Sequence, residues 1–189
     1  MADLEKIRVA ILVDDGFEQA EMAEPRKALE ESGAETVLVS PQKDKVRGWE
    51  NKDWGEEFPV QLSIDGARAD SFDALLLPGG VMNPDHLRMN PAAVAFVRAF
   101  FDADKPVAAI CHGPWTIVEA KAARGRRIAS WPSLKTDLKN AGAEWVDEQV
   151  VVDGNLVSSR NPDDIPAFNR EMINLFGKSR GKAKTVARS

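Results

Sequence analysis

Apolar residues fall along this chain in two alternating rhythms. Short, nearly unbroken apolar runs recur at "IRVAILV" (7–13), "TVLVS" (36–40), "FDALLLPGG" (72–80) and "VAAI" (107–110). Runs of this length and aliphatic character predict strands buried on both faces, as in a parallel sheet. Between them the apolar positions return at helical spacing. "EMAEPRKALEESGAE" (21–35) carries a Gly33 stop signal, and Asn90-Pro91 is a cap and first-turn pair opening "AAVAFVRAFFDAD". "GPWTIVEAKAA", "SLKTDLKNAG" and "NPDDIPAFNREMINLFG" repeat the pattern, with "RIAS" as a further strand. Phe96, Phe100 and Phe101 sit at helical spacing and read as core, as does Trp145. Residues 41–64 break the rhythm, with Trp49 and Trp54 set among charges, and predict a loop or a short antiparallel pair. Asp153-Gly154 between two apolar runs predicts a hairpin. Strands alternating with helices define an α/β domain with a mainly parallel sheet. We assign it to residues 1–176, followed by a basic segment, 177–189, expected to be flexible.

Open α/β sheets present their chemistry beyond the carboxyl ends of the strands. Three such ends are unusual here: Asp14-Asp15-Gly16-Phe17-Glu18, Pro78-Gly79-Gly80 and Cys111-His112-Gly113-Pro114. If the strands are neighbours, these turns meet. Cys111 is the only cysteine, and His112 is one of two histidines. A nucleophile on a strand-to-helix turn is the nucleophile-elbow arrangement, here with sulfur in place of a hydroxyl. A helix N-terminus behind it would favour the thiolate, and such settings lower a cysteine pKa from about 8.5 into the range of about 3.5–7.5. Gly113 lets the backbone pass close behind the sulfur, and the amides of Gly80 and His112 are candidates for an oxyanion hole. A lone cysteine is otherwise a small buried hydrophobe.

Glu18 has two readings. It is a surface acid, or it is a carboxyl beside the sulfur. In the second, preferred reading its protonated form donates to the thiolate, whereas its ionised form would raise the thiol pKa. His112 is the candidate base and needs a third group to orient its ring. Asp85, just after the Gly-Gly turn, or a residue of another chain would supply it. His86 reads as solvated. Trp131, before Pro132, reads as pocket lining or core.

Composition narrows the partners. The 189 residues are 43% hydrophobic, with a net charge of -5, which argues against a dedicated nucleic-acid binder. The segment "GKSRGKAKTVARS" is basic and acid-free, and is read as solvated. A single cysteine excludes an internal disulfide, and the first apolar run is too short for a signal peptide or a membrane span. A cytoplasmic protein with no membrane partner is expected. Two histidines and one cysteine do not give zinc-site spacing, and neither GxGxxG nor a phosphate loop is present, so no metal and no cofactor are expected.

With these segments in place the chain resembles the PfpI-type intracellular protease family. That family lies within the superfamily that includes the Parkinson-associated redox protein and class I glutamine amidotransferase-like domains. "GFE", "LLLPGG", "PVAAICHGP" and "NAGAEWVDEQVVVDGNLVSSRNPDD" carry the resemblance, over residues 7–176. It implies a flavodoxin-like three-layer sandwich, a nucleophilic Cys111 with His112 adjacent, a Glu18 bonded to the sulfur, and a homo-oligomer. In archaeal members an acid after the Gly-Gly turn reaches the histidine of a neighbouring subunit. Those members have Glu where this chain has the shorter Asp85, and the family often has Tyr where this chain has Trp131. The implied activities are peptidase, glyoxalase, deglycase and redox-linked stress protection. Fold alone does not choose among them. A cofactor-independent cysteine enzyme acting on a small reactive carbonyl is the preferred expectation. The alternatives are an oligomeric peptidase acting on peptides and a non-enzymatic redox sensor working through Cys111.

Overall fold

The computed structural model describes residues 3–186. In chain order the elements are β1 (Arg8–Leu12), β2 (Phe17–Glu18), α1 (Gln19–Glu31), β3 (Glu35–Ser40), β4 (Lys45–Glu50), β5 (Asp53–Pro59), β6 (Leu62–Ser63) and β7 (Ala74–Leu77). They continue with α2 (Met82–Met89), α3 (Pro91–Asp102), β8 (Val107–Ile110), α4 (Pro114–Glu119), β9 (Arg127–Ile128), α5 (Lys135–Asn140), β10 (Glu144–Trp145), β11 (Val150–Asp153), β12 (Leu156–Ser159) and α6 (Ile165–Val186).

Seven strands form one sheet in the order β11-β12-β8-β7-β1-β3-β6. Its pairs are parallel except β11 with β12. The apolar runs are unbroken because both faces are covered. Along β1 and its end, Val9, Ile11 and Val13 join a core with Met22 of α1 and Phe168, Met172 and Phe176 of α6. Ala10 and Leu12 point the other way, into a core with Phe96 and Phe100 of α3, Ile117 of α4 and Leu138 of α5. This is the three-layer α/β sandwich expected from the sequence. Among the described residues no helix is long and apolar enough to cross a membrane.

Local signals account for most boundaries. Asn90 Oδ1 accepts the amides of Ala92 and Ala93 (2.9 and 3.1 Å), a cap contributing about 1 kcal/mol to α3. The irregular segment 41–64 is largely the antiparallel pair β4–β5, with β2 alongside β4. Other boundaries depart from the sequence reading. The β11–β12 turn is Gly154-Asn155, one residue later than Asp153-Gly154, because Asp153 pairs with Leu156. Helix α2 was hidden in a polar stretch containing Pro84, which a first helical turn tolerates. Trp145 and Phe101 lie against the core rather than inside it, Trp145 turning its indole N–H to Ser130 Oγ (2.9 Å). Helix α6 runs on through Val186, so the segment expected to be a flexible tail from 177 begins as a continuation of that helix. Residues 187–189 lie outside the described residues.

Candidate active site

Strands β8, β7 and β1 are consecutive neighbours, so their three unusual ends do meet. Cys111 follows β8 with φ +61°, a left-handed conformation that costs a non-glycine residue about 1–3 kcal/mol. Two backbone bonds hold it there. Its amide donates to Ser159 O (3.1 Å), and its carbonyl accepts the amide of Trp131 (2.9 Å).

The adjoining glycines are required by contact. A Cβ on Gly79 would lie 2.6 Å from Cys111 Cβ and 2.4 Å from Glu21 Oε2, and one on Gly113 would lie 2.5 Å from Leu77 O. Asn83, fully buried in the first turn of α2, locks the Gly-Gly turn. Its Nδ2 donates to Pro78 O and Gly79 O (3.0 and 3.1 Å), and its Oδ1 accepts the amide of Asp14 (2.7 Å). One side chain thus joins the ends of β1 and β7.

The sulfur is mostly enclosed, with Cys111 6% exposed, yet it lines a cavity of about 610 Å³ with largely apolar walls. The backbone amides of Gly80 and His112 both donate to Sγ. His112 places Nδ1 3.2 Å from Sγ and Nε2 3.3 Å from Ser133 Oγ. Its ring stacks on Trp131 (centroids 6.0 Å, planes 24° apart) and meets the edge of Trp115 (5.2 Å). Trp131 is thus half-exposed pocket lining and not core, and His86 is exposed.

Two expectations for the acids need correction. Glu21, and not Glu18, is the carboxyl hydrogen-bonded to Cys111. Glu18 is the last extended residue, paired in register with Trp49, and it lines the same cavity. Helix α1 starts at Gln19, and its first turn carries Glu21 inward, where Oε2 accepts the Gly79 amide (3.1 Å). A signal was present, since Glu21, Pro25 and Leu29 follow one another at i, i+4 and i+8 on the buried face of α1. Asp85 is exposed on α2 and makes no hydrogen bond to His112; the partner of the outer ring nitrogen is Ser133. Among the described residues no group of three or more His, Cys, Asp or Glu side chains is placed to hold a metal ion.

The model of the DJ-1/PfpI family matches residues 7–175. The chain belongs to the DJ-1/PfpI family. Among similar members, General stress protein 18 of Bacillus subtilis is 45% identical over 173 residues, covering 90% of this chain and 98% of that one. A deglycase of Thermococcus kodakarensis is 44% identical over 170 residues, covering 90% and 99%. A crystal structure from Anabaena variabilis, a two-domain protein with DJ-1/ThiJ/PfpI-like and ferritin-like domains, superposes with a TM-score of 0.86 at 36% identity. That alignment covers 91% of this chain and 48% of the other, so this chain spans about half of the two-domain protein.

Within this DJ-1/PfpI site the protonation states follow from burial. Burial pushes Glu21 up to about 8, helped by the charge of Glu18, against the hydrogen bonds from Cys111, Gly79 and Gly80. Its Oε1 is buried without a hydrogen-bond partner of ordinary geometry, a position better suited to a protonated carboxyl than to a carboxylate. Burial also lowers His112 to about 4, so the ring is neutral at pH 7. Burial pushes the Cys111 thiol up, an ionised Glu21 adds to that, and the two amides oppose it. Burial thus works against the thiolate that the turn position led us to expect. Helix α4 is only six residues long and begins with Pro114, which has no N–H to offer. Burial outweighs what remains.

Proposed function

We propose that this protein is a cofactor-independent cysteine enzyme acting on reactive carbonyl compounds, as a deglycase or glyoxalase does, in protection against stress. One observation carries the reading: Sγ of Cys111 lies between two backbone donors and 3.2 Å from a neutral imidazole nitrogen, at the base of an open cavity. As Sγ bonds to a carbonyl carbon, the C=O electron pair moves to oxygen and the thiol proton passes to His112 Nδ1. The Gly80 and His112 amides, no longer needed by sulfur, face the new alkoxide. Protonated Glu21 adds no negative charge beside that alkoxide at neutral pH.

The relatives named deglycase and general stress protein support the substrate class and the physiological setting. Within this reading the enzyme is cytoplasmic and forms a homo-oligomer. The peptidase alternative requires Asp85 to reach a partner's histidine, and His112 already has a partner for its outer nitrogen within its own chain. Purified protein and Cys111→Ser, assayed side by side on methylglyoxal, a glycated peptide and casein, test the reading. Carbonyl turnover should fall at least about a thousandfold in the variant. Retained turnover, or activity on casein alone, would overturn it.

A further inference from the structure

We propose that Ser133 is a positioning residue that sets the tautomer and orientation of His112 for proton transfer from Cys111, and that it is supplied by the same chain. The inference rests on the cysteine-enzyme reading above but concerns a residue to which that reading gives no part in the reaction. A neutral imidazole carries one N–H. For Nδ1, 3.2 Å from Sγ, to accept the thiol proton, the ring hydrogen must sit on Nε2. Ser133 Oγ lies 3.3 Å from Nε2 and is the polar side-chain atom that meets it. By accepting from Nε2–H, the hydroxyl favours the reactive tautomer. Once the thiol proton has moved, both ring nitrogens carry hydrogen, and Ser133 can act only as acceptor. It therefore stabilises the imidazolium more than the resting ring.

The placement of Ser133 is built rather than accidental. Ser133 sits in the 3-10 turn Pro132–Leu134, directly after Trp131. The Trp131 amide donates to Cys111 O (2.9 Å), and the Leu134 amide closes the turn on Trp131 O (3.1 Å). The hydroxyl is thus tied through two backbone bonds to the residue whose proton it helps to move. Trp131 and Trp115 confine the ring on either side, and Trp115 is itself fixed by Asp137 (2.8 Å). The other titratable groups around the ring are Cys111, Glu21 and Glu18 across the cavity. Asp137 and Arg88 lie beyond Trp115, Arg88 over its indole face at 5.5 Å. None of these takes the outer nitrogen.

Cys111 is the only cysteine, so its alkylation by iodoacetamide reports on the same proton transfer without any assumption about substrate. In that step Sγ displaces iodide and the thiol proton goes to Nδ1. Ser133→Ala should slow alkylation at pH 7 and lower kcat by about three- to tenfold each, with KM kept. It should also displace the acid limb of the kcat profile. Ser133→Thr, which keeps the hydroxyl, should restore both. Nitrogen-15 NMR, with His112 assigned through His86→Gln, should show the Nε2–H form in the wild type and a mixture in Ser133→Ala. Unchanged alkylation and tautomer in Ser133→Ala would overturn the proposal. So would equal losses in the Ala and Thr variants, which would make the effect one of folding. If the wild type turns over no carbonyl substrate, the functional reading fails, while alkylation and NMR still decide the role of Ser133.

Discussion

The floor and the rim of the cavity are built on opposite principles. On the floor, Cys111, His112, Glu21 and Asn83 are all buried, and the strained cysteine and both glycines of the β7 turn are held by backbone or buried side-chain contacts. The rim holds side chains that a soluble surface normally hides. Val81 is 55% exposed and Trp131 41%. Glu18 and Glu21 show the contrast within one helical turn: the first is half-buried on the wall, the second fully enclosed against the sulfur. The difference teaches that the reactive geometry is a property of the sheet, fixed with the fold, while the rim remains free to vary with substrate. Asn83 makes the point most economically, since one amide side chain joins two strand ends and thereby positions the Gly80 amide.

The largest break should come from adding one methyl group to the floor. In Gly79→Ala the new carbon meets a carboxyl oxygen at 2.4 Å and another Cβ at 2.6 Å, and neither belongs to a flexible chain end in open solvent. A loss of at least about 3 kcal/mol is expected. Read by thermal unfolding, that is a Tm fall on the order of 10 °C. Gly66→Ala is the matched control, having no heavy atom within 4 Å of the new carbon and no positive φ. It should be neutral or slightly stabilising. Equal effects in the two variants would show that the floor is not specially packed.

Glu21 sharpens the comparison through pH. Its folded pKa, about 8, lies above the unfolded value of 4.5. The stability it contributes is fully present below pH 4.5 and is lost as pH rises through 8. Wild type should therefore lose roughly 4 kcal/mol relative to Glu21→Gln between pH 4 and pH 8. Denaturant unfolding at several pH values measures this. Parallel pH profiles for the two proteins would show that Glu21 is ionised in the native state at neutral pH. Its burial would then be offset by something other than protonation.

How much of this was legible in the sequence follows the same division. The strand runs, the sheet class, the elbow at Cys111 and the meeting of three turns were readable. Each depends on local periodicity or on glycine and proline placement, which short windows carry. The amide donors Gly80 and His112 were readable for the same reason. The acid was misplaced by one helical turn because "GFE" ends a strand, and whether Glu18 or Glu21 faces the sulfur depends on where α1 begins. Its buried face, Glu21, Pro25 and Leu29, held the answer in its spacing. Asn83 and Ser133 had no readable signal. Each acts across a sequence distance, from Asn83 to Asp14 and from Ser133 to His112, that only the folded chain closes. The balance at the thiol was only half readable, because a turn position suggests donors, whereas burial, which opposes ionisation, is a tertiary property.

The smallest effect tests the rim. Val81 lines the cavity, is more than half exposed, and occupies the residue before the first turn of α2. Serine is favoured at helix N-caps, so Val81→Ser should leave stability within about 0.5 kcal/mol of wild type. The floor is untouched, so kcat/KM on a three-carbon dicarbonyl should not change. A carbonyl adduct carrying a bulky apolar group would lose contact with the valine methyls, and its kcat/KM should fall about two- to threefold, mostly through KM. Steady-state kinetics on the two substrates separate the outcomes. Equal losses on both would mean that the exposed lip is part of the reactive geometry, and the division between a fixed floor and a variable rim would not hold.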